Sequence, residues 1–147
     1  MTMLEDMCSH LKGQLPIKQL VGERVNVLYR NQGDPLPAMI LRRVGGKHEY
    51  DLSGGAGFNN AAVEFESHAE SYSAAVQLAE TVREVLDTMR KRGDYAIGDG
   101  TLIMSILMAS GEVDDFLPPA DGSATGTFIV SQQFTVRHRE SVPKHPL

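Results

Sequence analysis

The chain has 147 residues, 41% of them hydrophobic and 22% charged, enough for one domain with a core of its own. Its formal charge of −5 speaks against a general nucleic-acid binder, which is usually basic. The single cysteine, Cys8, has no internal disulfide partner, which points to an intracellular setting.

In chain order, Thr2 can cap a short helix carrying Leu4, Met7, Cys8, Leu11 and Leu15 at helical spacing. Glu5 and Asp6 suit the positive pole of its dipole, and Gly13 and Pro16 are expected to end it. The Met1–Asp6 start lacks the basic and apolar pattern of a signal peptide. From Arg24 to Arg30 apolar residues alternate, with Val25, Val27 and Tyr29 on one face of a predicted strand. The turn-forming cluster 31–35 separates it from a second strand, Ala38 to Val44, and the short spacing predicts a hairpin. Residues 45–60 show no periodicity and hold five glycines, which predicts a long mobile loop. Gly54-Gly55-Ala56-Gly57 lacks the Gly-Lys-Ser/Thr ending of a phosphate loop.

The strongest pattern lies between Asn60 and Arg92. Val63-Glu64-Phe65-Glu66 alternates as a strand with one wet face does. Ala75, Leu78, Ala79, Val82, Val85, Leu86 and Met89 then repeat at i, i+3, i+4, i+7, the mark of a helix with one buried stripe. Ser71 or Ser73 can cap it and Gly93 can end it. Thr101 to Met108 is apolar throughout, as in a strand covered on both faces, and is too short to span a membrane. Residues 110–126 are rich in Gly, Pro and Asp and predict a second long loop. The last strand, Thr127 to His138, places Phe128, Val130, Gln132, Phe134 and Val136 on one face. From about residue 140 the chain reads as a frayed tail. The order implies a single α+β domain over 1–147. A mostly antiparallel sheet of four to five strands would carry the long amphipathic helix and the short N-terminal helix on one face.

No constellation for catalysis, cofactor or metal stands out. The five histidines lack metal-ligand spacing to one another or to Cys8. Asp94, Asp99 and His48 are the residues a small enzyme would have to use, and turn-forming Asp is the simpler reading of the first two.

The arrangement as a whole resembles the tail-terminator proteins (tail-completion, head–tail joining) of long-tailed bacteriophages and prophages. The matching features are the Leu4-x-x-Met7-x-x-x-Leu11 helix, the Leu20-Val21-Gly22-Glu23-Arg24-Val25 entry to the first strand and Pro37-Ala38-Met39-Ile40 opening the second. The others are Ala62–Ser67 followed by Ser71–Ala79, and the long final strand from Phe128 to Val136. The resemblance implies a non-enzymatic virion protein without cofactor or metal. Such a protein forms a ring, commonly a hexamer, on the end of the tail tube, stops tail growth and offers a joining surface to the head connector. DNA passes through its lumen, and assembly takes place in the bacterial cytoplasm. Another ring-forming neck or connector component is the alternative. Arg42, Arg43, Tyr50 and Phe58 are the expected contact residues toward the next subunit or the tube protein, because arginine and aromatics are enriched at interface cores.

Overall fold

The computed structural model describes residues 2–30, 35–51, 54–91, 95–97, 101–108, 111–119 and 126–139. Among these residues three helices and seven strands follow in the order α1 (Met3–Lys12), α2 (Leu15–Val21), β1 (Val25–Val27), β2 (Ala38–Asp51), β3 (Gly54–Ala69), α3 (Tyr72–Lys91), β4 (Tyr95–Ile97), β5 (Thr101–Met108), β6 (Val113–Leu117) and β7 (Thr127–Arg139). The class is the expected α+β. The sheet runs β1-β2-β3-β7-β5-β4, with β6 also on β7, and every pair except β1–β2 is antiparallel.

Local chemistry accounts for the helices. Thr2 and Glu5 form a reciprocal capping box at the start of α1, so two orphan amides are satisfied at once. Pro16 does not end this helix as expected. It lies in the first turn of α2, where its missing N–H costs nothing, and the chain leaves α2 through Gly22 at φ +59. Leu15 is therefore not on the buried stripe of α1 but 65% exposed. Ser71 caps α3 by accepting from the Ala74 amide at 3.2 Å.

The expected hairpin of the first two strands is instead a parallel pair, with Val25 opposite Met39 and Val27 opposite Leu41. Leu28, at φ +74, turns the chain out of β1. Arg24 then clamps the start of β2 beside the start of β1. Its carbonyl accepts from the Met39 amide at 2.9 Å, and its Nε donates to the Pro37 carbonyl at 2.9 Å. Side-chain alternation is the same for parallel and antiparallel neighbours, so the pattern alone does not carry the direction.

The expected loop at 45–60 is also corrected. Over its described residues it is the distal half of a long β2–β3 hairpin, with Gly45 opposite Ala62, Gly46 opposite Ala61 and His48 opposite Asn59. The strand exists because its neighbours specify it: Phe58 to Ala61 pair on their other side with Arg139 to Val136 of β7. A Cβ on Gly46 would meet the Ala61 Cα, Asn59 Oδ1 and the Asn60 carbonyl at 3.4 Å, close to ordinary contact. The expected loop at 110–126 likewise contains a strand, β6, in register with β7 from Val113–Ser131 to Leu117–Thr127. The tail beyond residue 139 lies outside the described residues.

One apolar cluster fills the space between the helices and one face of the sheet. It joins Met7 and Leu11 of α1, Ile17 and Val21 of α2, Leu78, Val82, Leu86 and Met89 of α3, and Val63, Phe65, Phe134 and Val136 of the sheet. Phe65 and Phe134 meet edge to face with centroids 5.5 Å apart. Val85 is only partly buried, and Val130 belongs with Ala69, Ala75 and Ala79 to a second cluster that Phe128 borders. Gln132 lies on the same face with no exposure. Its Nε2 donates to the Ala79 carbonyl at 3.1 Å and to Glu112 Oε1 at 3.2 Å, which ties β7 to α3 and to the approach to β6. Cys8 is 5% exposed, and burial pushes its thiol up to about 11, so it behaves as a small core hydrophobe. Among the described residues no helix is long and apolar enough to cross a membrane.

Candidate interaction surface

The face of the sheet turned away from the helices carries a polar ladder. Residues 64, 66 and 68 of β3 share that face by the two-residue strand period, and Arg42 reaches them from β2. Arg42 Nη2 lies 2.6 Å from Glu64 Oε1 and 3.2 Å from Glu66 Oε2, while His68 Nε2 lies 2.9 Å from Glu66 Oε1. The His68 contact, then the neighbouring Glu64 and Arg42, hold the Glu66 carboxyl down at about 2 despite its partial burial. Glu64 moves the other way, raised chiefly by its hydrogen bond with Glu66 and by burial, against the pull of Arg42.

The sign for stability follows from the depressed group. Glu66 contributes stability that is present above its ordinary value of 4.5 and is lost as pH falls from there toward 2. Glu64, raised, contributes in the opposite sense and flattens part of that loss. The two opposed shifts leave a net effect on the order of 1 kcal/mol. Glu66→Gln is expected to lower the acid-side slope between about pH 4.5 and 2 in denaturant titrations. An unchanged slope in the variant would show that Glu66 adds nothing to stability.

Farther along the hairpin, Phe58 sits under Arg137, with the guanidinium carbon 4.2 Å from the ring centroid, and Arg139 lies at 5.9 Å. On the helix side a cleft of about 630 Å³ opens between the N-terminus of α1, the end of β1 and the β2–β3–β7 wall. Leu4, Leu28, Arg43, His48 and Asn59 are among its walls. Asn59 Nδ2 and His48 Nδ1 are 3.3 Å apart.

The expected contact residues are therefore divided between two faces. Arg42 and Phe58 share the face without helices and are already engaged within the chain, whereas Arg43 stands on the cleft side. Tyr50 lies in β2 opposite Gly55, and its side chain is outside the described residues. Of the residues an enzyme would need, His48 is on the cleft wall, and Asp94 and Asp99 are outside the described residues. Among the described residues no group of His, Cys, Asp and Glu is arranged to hold a metal ion.

The part of the surface that the sequence did not bring forward is the β6 edge. All five of its residues are exposed, including Val113 at 62%, Phe116 at 46% and Leu117 at 55%. Phe116 packs on Phe128 with centroids 4.8 Å apart, and the Asp114 carboxylate accepts from the Tyr72 hydroxyl at 2.7 Å, holding that phenol above its usual range. The Phe116 amide is taken up by the Asp115 carboxylate of its own strand at 2.8 Å. The signal was present as Pro118-Pro119 after a short apolar–acidic run, a pattern common where a strand lies at a sheet edge.

No protein-family model matches the sequence, and no curated protein matches it either. The fold, by contrast, is shared. A chain of the solved structure "Virion of native gene transfer agent (GTA) particle" superposes with a TM-score of 0.65 over 93% of this chain and 94% of that one, at 12% sequence identity. At that identity the likeness is one of fold.

Proposed function

We propose that the chain is a structural subunit of a phage-like virion. More narrowly, it forms a ring, a hexamer by analogy with the tail terminators it resembles, on the end of the tail tube. There it stops tail growth and presents the joining surface for the head connector, while DNA passes through the lumen without specific binding. The supporting observation is the fold match to a virion chain over nearly the whole length of both partners. The order of helices and strands by which the sequence resembles the tail-terminator family supports the narrower role. The role calls for contacts rather than chemistry, and it places the protein in the tail after assembly in the bacterial cytoplasm.

Native mass measurement with negative-stain imaging of the purified protein, alone and mixed with tail tubes, tests the proposal. A ring seated on tube ends is expected, and deletion of the gene is expected to leave tails of uncontrolled length without heads. Tails of normal length in the deletion strain would overturn the terminator role; if they then fail to join heads, the chain is a neck or connector component instead. Replacing His48, Asp94 and Asp99 together should leave tail assembly intact.

A further inference from the structure

Among the described residues, a stretch at each side of this sheet has no neighbouring strand. Along β2 the pairing with β1 stops at Leu41, and among the described residues no strand lies beside Arg43–His48 on that side. On the opposite side of the sheet, β6 covers β7 from Thr127 to Ser131, and among the described residues its own outer edge carries no strand. An exposed strand edge is a template for another chain unless it is blunted.

The two edges also differ in charge. The β2 stretch carries Arg43 and Lys47, exposed, with no ion pair of their own among the described residues. The β6 stretch carries Glu112, Asp114 and Asp115, also exposed and forming no ion pair among the described residues. Both offer apolar side chains between the charges: Val44 at 42% exposure on one side, Val113 and Leu117 on the other.

We propose that the β6 edge of one copy of this chain pairs with the Arg43–His48 edge of the next, so that neighbouring sheets join through complementary charge. The inference rests on the ring reading given above and specifies how that ring closes. The contact is heterologous, one patch meeting a different patch, which is the geometry that generates rings rather than two-fold dimers. The free edges lie at diagonal corners of the sheet, since β6 faces the start of β7 and the free part of β2 is level with its end. Each copy is therefore staggered along the strands against the last, and closure requires strands tilted to the ring axis, as shear does in a barrel. In the separate chain, the Asp115 carboxylate occupies the Phe116 amide and blunts the edge. Pairing releases that carboxylate toward the basic strand of the neighbour.

Charge reversal in the full-length chain tests this. One variant carries Arg43→Glu with Lys47→Glu, a second carries Asp115→Lys, and a third carries all three changes. Circular dichroism checks the fold of each, and native mass measurement reads assembly. Either reversal alone is expected to raise the concentration for half-assembly by about tenfold or more, because like charges then face each other. The equimolar mixture of the first two is expected to assemble again in equal numbers, since each supplies the charge the other lacks. The third should assemble as the natural chain does. If folded single-side variants assemble at the natural concentration, or if neither the mixture nor the third variant recovers assembly, the edge contact is wrong while the ring reading stands. A natural chain that stays monomeric alone and on tail tubes overturns the ring reading, and the contact with it.

Discussion

Leu86→Ala is expected to cost about 2–5 kcal/mol of folding stability, read as a lower midpoint in denaturant with an unchanged slope. Leu86 has no exposure and lies in the cluster that holds α3 against Phe65, Phe134 and Val136. The loss combines the transfer of the removed carbons with the cavity left between a helix and a sheet that cannot close on each other. Against a total stability of about 5–15 kcal/mol, that decides whether the subunit folds at assembly temperature. Leu15→Ala provides the contrast, because a 65% exposed leucine at the start of α2 should change stability by less than about 0.5 kcal/mol. A change below about 0.5 kcal/mol at Leu86 as well would show that α3 presents a different stripe to the sheet.

Gly126→Ala is expected to weaken the seat of β6. An added Cβ would stand 2.4 Å from the Phe116 ring and 2.6 Å from the Leu117 carbonyl. The ring can move, but the carbonyl belongs to the backbone at the Leu117–Thr127 register of β6 on β7, so relief of the clash unmakes part of that pairing. A cost of about 1–3 kcal/mol is expected. Hydrogen exchange should rise at Val113 to Leu117 while the amides of α3 keep their protection. Unchanged exchange across β6 would mean that the strand shifts to accept the methyl without losing its place.

Much of the architecture was legible where a single element buries a face of its own. The period-3.6 stripe of α3 and the period-2 alternation of β7 each divide the chain into buried and wet sides, and both elements were found at the expected places. The parts that were not legible are set by neighbours. The glycines at 45 and 46 carry no side-chain pattern, and the strand they occupy is fixed by Ala61 and Ala62 across the pair. β6 buries neither face, so no alternation marks it. Proline breaks helix interiors, so the sequence pattern points to a stop at Pro16, yet the first turn is the position where proline is tolerated. The candidate surface was legible by residue type only. Arg42 and Phe58 prove to be held by partners within the chain, and the charges that form no ion pair among the described residues, Arg43, Lys47 and the acids at β6, depend on which strand lies at an edge.

The lone cysteine has a practical consequence. Cys8 lies on the buried side of α1 with its thiol held well above the range in which thiolate forms at neutral pH, and the sequence has no other. Burial at 5% exposure and the raised thiol slow a thiol reagent at Cys8, and labelling is expected to speed up when α1 lifts from the sheet. A cysteine introduced on either sheet edge would take a dye faster than Cys8. The assembly of neighbouring copies could then be followed optically, with no native residue to remove.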